Sequence, residues 1–182
     1  MRKLTHLQAL HTHLQIQHWL HQELFHYQWW ILVSTLLVSI FFYWVLIDRK
    51  RLTELLFFVT LTSLIVSSLD SIGSNLTLWV YVYRDLPTFN RLVSVDIGAL
   101  PLLYLVMYLF LPKWSHYSLA QVIASLIFSF VFEPIYRWVG ILQYLSWRHM
   151  YSFPIYILIG VVMKGIVEYV VKREAKEKQR QG

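Results

Sequence analysis

Three acidic side chains set in apolar stretches carry most of the chemical information in this sequence. Asp70 sits in Ser67-Ser68-Leu69-Asp70-Ser71-Ile72-Gly73-Ser74-Asn75, a polar island between two strongly apolar segments. Asp96 opens a further apolar segment ahead of Pro101, and Glu133-Pro134 interrupts another. A carboxylate in hydrocarbon is costly, so each implies a counter-charge, a wet cavity or a bound proton. Pro134 sharpens the case for Glu133. It removes the backbone hydrogen bond to the Phe130 carbonyl and kinks the helix, which leaves a free carbonyl beside a carboxylate, a pair suited to a cation.

Each of these residues also has a structural use. Arg137 lies one turn after Glu133 and suits an intrahelical ion pair. Asp70 suits a cap of the segment that follows it, and Asp96 in a first turn suits the helix dipole. Lys164 and Glu168, at i,i+4 near the inner end of the last apolar segment, suit a structural or snorkelling pair. Six of the eight histidines (His6, His11, His13, His18, His21 and His26) crowd the first 28 residues. His18 and His21 at i,i+3 allow a metal reading. A polar helix at the lipid headgroups, cationic when acidified, fits better. We expect no bound metal and no cofactor.

The elements that position these groups are apolar helices. The 182 residues are 57% hydrophobic and 14% charged, against about 25% charged in soluble domains. So much apolar surface cannot be hidden in one water-soluble core of this size. Leucines at roughly helical spacing predict an interfacial helix within 1–28. Spans follow near 29–47, 52–72, 93–111, 119–139 and 153–171, each of a length that fits a hydrocarbon core of about 30 Å. Ser71 to Asn75 reads as a break, after which 76–83 is too short to cross as a helix and reads as interfacial or re-entrant, with Trp79, Tyr81 and Tyr83 at the headgroups. Residues 172–182 form a charged, frayed cytoplasmic tail. The expectation is an all-α polytopic membrane bundle of about five transmembrane helices plus the N-terminal interfacial helix.

The formal charge of +6 invites a nucleic-acid partner, but its placement argues otherwise: Arg49-Lys50-Arg51 and five basic residues in the last eleven flank apolar segments as membrane anchors do. With the N-terminus outside, nine Lys/Arg lie near the inner ends of spans (49–51, 113 and the tail) and four near the outer ends (Arg84, Arg91, Arg137 and Arg148). The count favours N-out, C-in, and no cleavable signal peptide is apparent. This topology brings Asp70, Asp96 and Glu133 to one outer side, with Arg137, Arg148 and His149. There is no cysteine, so thiolate and disulfide chemistry is excluded. There is also no nucleophile elbow, zincin motif, P-loop or dinucleotide fingerprint. Asp70 and Asp96 as an aspartyl dyad have no other sequence support, and we do not expect an enzyme.

Asp48-Arg49-Lys50-Arg51 with Glu54 resembles the first loop of an uncharacterised family of small multi-pass membrane proteins of spore-forming Firmicutes, of Bacillus/Clostridium type and known by a clostridial locus-tag name. The resemblance continues through Leu69-Asp70-Ser71-Ile72-Gly73, Leu78-Trp79-Val80-Tyr81, Leu111-Pro112-Lys113-Trp114, Phe132-Glu133-Pro134, Trp138-Val139-Gly140-Ile141 and Trp147-Arg148-His149-Met150-Tyr151-Ser152. It covers roughly 29–171 and implies an integral membrane protein of the bacterial cell membrane, with no activity, substrate or cofactor attached. The histidine-rich first 28 residues are longer than such a resemblance implies.

Two functions follow as expectations. The first is binding or permeation of a small polar or cationic solute, or a proton, at the outer acidic cluster. The second is a membrane scaffold or interaction subunit, in which the same charges are salt bridges and the partner is another membrane protein. In both, the bilayer is a partner and nucleic acid is not. Single cysteines at Thr5, Thr88 and Ser146 are expected to react with a membrane-impermeant maleimide from outside, and those at Thr53, Ser115 and Gln181 only after permeabilisation. Outside labelling at Thr53 or Gln181 inverts the topology.

Overall fold

The computed structural model describes residues 2–181 and is all-α apart from one short β-ribbon. Helix α1 (Arg2–His18) runs into a π-helical turn, Trp19–Glu23. Helix α2 (Tyr27–Leu46) and helix α3 (Leu52–Asn75) are joined by the Arg49–Arg51 turn, where the Asp48 carboxylate accepts from the Lys50 N–H. Strand β1 (Trp79–Tyr81) follows. A π-helical turn, Ser94–Ala99, then leads into α4 (Leu100–Phe110). Helices α5 (Trp114–Ile127) and α6 (Glu133–Trp138) form one rod through a third π-helical turn, Phe128–Phe132. Strand β2 (Leu142–Tyr144) and the long α7 (His149–Gln181) complete the chain.

Among the described residues four helical stretches are long and apolar enough to cross a membrane: Tyr27–Leu46, Arg49–Asn75, Trp114–Trp138 and His149–Arg180. The shorter apolar stretch Ser94–Phe110 lies among them. The outer faces of these helices present large apolar side chains, among them Phe41 at 62% exposure and Trp44 at 86%, a surface compatible with lipid contact. Inside, Leu55, Phe58, Leu105 and Val167 are fully buried beside Thr62, Gln121 and Ser129. Small and polar residues at helix contacts let backbones approach closely and hydrogen-bond across the interface.

Several expectations are corrected. Residues 71–75 do not break the helix, since α3 continues to Asn75. Residues 76–83, expected as an interfacial or re-entrant segment, belong to a ribbon. Their core is a strand paired antiparallel with β2, Trp79 opposite Tyr144 and Tyr81 opposite Leu142. The tail after 172 is not frayed, because α7 runs to Gln181. Both strands begin just after the same kind of helix end. After α6, Gly140 takes a left-handed φ of 86°, and the Gly140 and Ile141 N–H groups cap the carbonyls of Arg137 and Tyr136 at 3.1 and 2.9 Å. After α3, Thr77 takes the same role at φ 54°, with Thr77 and Leu78 N–H groups on Ser74 and Gly73 at 3.0 Å each. These are Schellman caps, which turn the chain sharply away from the helix axis.

Gly73 is needed for contact, not for a bend. A Cβ there would lie 2.0 Å from Cη2 of Trp79. The indole ring lies against α3 at this point, and its Nε1–H reaches back to Oδ1 of Asp70 at 3.0 Å. Gly73→Ala is therefore expected to destabilise the protein by about 1–3 kcal/mol, the cost of overpacking. A Trp79→Leu background should recover most of that loss in thermal unfolding, because the clash partner is gone.

Candidate functional site

Side chains on one face of a strand alternate with those on the other. Trp79 and Tyr81 therefore share a face of β1, and Tyr144, opposite Trp79, joins them. That face lies over the ends of α3 and α6. Oδ1 of Asp70 accepts from the Tyr81 hydroxyl at 2.6 Å as well as from Trp79. Oε2 of Glu133 accepts from the Tyr144 hydroxyl, and Oε1 accepts from the Tyr156 hydroxyl of α7 at 2.7 Å. The ribbon thus carries donors to two acids that lie on different helices.

Asp70, Asp96 and Glu133 line a single cavity of about 580 Å3. Trp79, Tyr81, Tyr144, Tyr156, Trp147 and Ser152 share the lining, and most of the rest of the wall is apolar. Asp96, in the π-helical turn before α4, is only 3% exposed. Its carboxyl shares this stretch of wall with that of Asp70. Oδ2 of Asp70 and Oδ2 of Asp96 are buried with no hydrogen-bond partner. Among the described residues no Lys, Arg or His nitrogen lies within 4 Å of any of the three acids. A polar cleft of about 380 Å3 opens nearby at the end of α3, lined by Ser71, Ser74, Asn75, Asn90 and Arg91 among others.

The remaining expected site residues are not in the cavity wall. Arg137 does not pair with Glu133. Its guanidinium stacks on the Tyr144 ring at 4.9 Å. Arg148 is exposed, and His149 packs edge-on against Phe130 at 5.2 Å. Lys164 and Glu168 do meet, at 3.5 Å, but Lys164 is fully buried and does not snorkel. Its Nζ donates to the carbonyls of Leu111 and Pro112 at 3.0 Å each and lies over the Tyr117 ring at 4.4 Å. It caps the end of α4, whose last carbonyls have no partner of their own. Among the described residues no three His, Asp or Glu side chains form a metal-ligand group.

Two buried polar contacts escaped the sequence reading. Glu23 is 1% exposed and binds Arg84 with both carboxylate oxygens, taking Nη2 at 2.6 Å and Nε at 3.2 Å, and also takes the Arg84 N–H at 2.9 Å. Asp85 accepts from the Ser94 N–H and hydroxyl at 2.9 Å each, which caps the start of the π-helical turn holding Asp96. Burial pushes the Asp85 carboxyl above its ordinary range, against the pull of those two donors. The first contact has no local sequence signal, because Glu23 and Arg84 meet across 61 residues. Searches against protein-family models, curated proteins and solved structures found no match.

Removing one partner of a buried ion pair strands the other charge, which costs about 3–5 kcal/mol. Arg84→Met and Glu23→Gln should each lower thermal stability by such an amount. The double variant should lose less than the sum of the two, as read by a double-mutant cycle of thermal unfolding in detergent.

Proposed function

We propose that this protein is a multi-pass protein of the bacterial cell membrane that binds or passes a small polar or cationic solute, or a proton, at the cavity of Asp70, Asp96 and Glu133. The observation that carries the reading is the state of Asp96: 3% exposed, with a carboxylate oxygen unpartnered in the cavity wall and the Asp70 carboxyl beside it. Two carboxylates in one apolar wall with no base within 4 Å among the described residues are costly. A proton or a bound cation removes that cost. The alternative, a scaffold stabilised by salt bridges, calls for each acid to face a base, and no Lys, Arg or His pairs with these three among the described residues.

In this reading α4 with its π-helical turn is a fifth crossing. Its 17 residues, Ser94–Phe110, span about 25 Å at helical rise, the short limit for a bilayer. Helix α1 lies along the interface, the N-terminus is outside and the C-terminus cytoplasmic. The sequence resemblance to the Firmicute membrane family fits such a protein. The chemistry is binding, not catalysis: Trp79 and Tyr81 occupy one oxygen of Asp70, which leaves an arrangement suited to holding charge rather than to activating water.

The test is a thermal-shift titration of the purified protein in nanodiscs with Na+, guanidinium and tetramethylammonium, paired with proton uptake into proteoliposomes. At least one cation should raise the melting temperature, or proton uptake should exceed that of protein-free liposomes. Asp96→Asn should abolish the effect while the protein stays folded. A ligand at a hundred times its Kd stabilises by about 2.7 kcal/mol, a readily measured shift. If no cation or proton effect is found, and Glu133→Gln only lowers the amount of folded protein, the scaffold alternative takes its place.

A further inference from the structure

We infer that the ligand of this cavity is an amphipathic organic cation, an ammonium-type charge carried on a bulky apolar body; this deepens the cation-binding reading above and rests on it. The first ground is volume. A space of about 580 Å3 lies within the roughly 300–1,000 Å3 of sites that enclose drug-sized molecules. A proton or a bare ion needs no such space.

The second ground is the distribution of polarity in the wall. Away from the three acids it is built from Val66, Leu100, Phe128, Ile155 and Ile159, with the Trp147 ring at one side. A hard cation such as Ca2+ asks for a shell of about six to eight oxygens. Only Oδ1 of Asp70 is occupied on the Asp70–Asp96 pair, so it offers three carboxyl oxygens, still far short of such a shell, and no three acidic or histidine side chains group as metal ligands among the described residues. An organic cation asks for something different. Its charge is diffuse, one or two carboxylates balance it, and aromatic faces add attraction. Its body gains by leaving water for the apolar wall.

The third ground is the way the acids are held. Glu133 has both oxygens occupied by Tyr144 and Tyr156 hydroxyls, and Asp70 has one oxygen occupied by Trp79 and Tyr81. The Asp70–Asp96 pair keeps the unpartnered oxygens. The charged head therefore belongs at Asp70 and Asp96, with the apolar body extending past Leu100 and Phe128 toward Ile159.

The experiment uses the full chain in nanodiscs and three probes measured by equilibrium dialysis against empty nanodiscs. Tetraphenylphosphonium carries charge and apolar body, tetramethylammonium the charge alone, and tetraphenylborate the body with the opposite charge. Tetraphenylphosphonium should bind saturably and roughly tenfold or more tighter than tetramethylammonium, the order expected from burying the additional apolar surface. Tetraphenylborate should show no saturable binding. Asp96→Asn should weaken tetraphenylphosphonium roughly tenfold or more, as loss of a desolvated charge partner does. Leu100→Trp, which keeps all three acids and fills the apolar part, should weaken tetraphenylphosphonium by a larger factor than tetramethylammonium. Asp96-dependent binding of tetramethylammonium that equals or exceeds that of tetraphenylphosphonium overturns the amphipathic ligand and keeps the cation site. Tetraphenylphosphonium binding that both folded variants leave intact overturns it too, because the probe then sits in lipid. Absence of any Asp96-dependent cation binding or proton uptake removes both readings.

Discussion

The hydrogen bonds from Trp79 and Tyr81 to one oxygen of Asp70 are the constraint on which the upper part of the bundle depends. They fix β1 against the end of α3, and β1 in turn fixes β2. Strand β2 brings Tyr144 to Glu133 at the start of α6. The order of dependence runs from a glycine to a cavity. Without a side chain at position 73 the indole can approach α3, with the indole there Asp70 is reached, and with Asp70 reached the ribbon covers the acids. A two-stranded ribbon is marginal alone in water. Here its side chains are anchored to buried carboxyls on two helices, which replaces the missing sheet.

Proline and the π-helical turns form a second theme. Pro101 follows the turn that holds Asp96, and Pro134 follows the turn that ends at Phe132. A proline has no N–H and its ring presses on the carbonyl four residues earlier, so a widened turn ahead of it relieves the clash. The freed carbonyls must be satisfied where water is absent. At Pro101 the solution is visible: the Tyr43 hydroxyl of α2 lies 2.9 Å from the carbonyl oxygens of Ile97 and of Gly98. Widened turns also displace the following side chain from its regular helical position. Asp96 lies within such a turn and Glu133 directly after one.

The apolar helices were legible because their signal is local and long. Residues 29–47 predicted Tyr27–Leu46 to within two residues at each end, and Glu133-Pro134 marked the irregularity of the Trp114–Trp138 rod directly. The three acids were legible as a group because topology, once counted, placed them on one side. The ribbon was not. Trp79, Val80 and Tyr81 alternate as a strand does, but three residues give little periodicity, and the partner Leu142–Tyr144 lies 60 residues away. Thr77 carries no hint of its left-handed backbone, whereas Gly140 does. Arg137 misled because helical spacing puts it beside Glu133, while tyrosines from other elements had already filled both carboxylate oxygens.

The seat of α2 against the rest of the bundle has a further consequence. Most of this helix faces outward, and its contacts with the π-helical turn ahead of α4 include small and directional ones: the Tyr43 hydroxyl on two carbonyls, and Ser39 against Gly98, where a Cβ would lie 3.0 Å from the serine oxygen. Attachment by area tolerates sliding, since one apolar patch is much like the next. Attachment by a keyed pair does not. A shift of α2 by one residue would take the phenol from its carbonyls and put a larger side chain where only serine fits. The helix is therefore indexed to a single register, and the wall it gives the cavity through Ile31 and Thr35 has one shape.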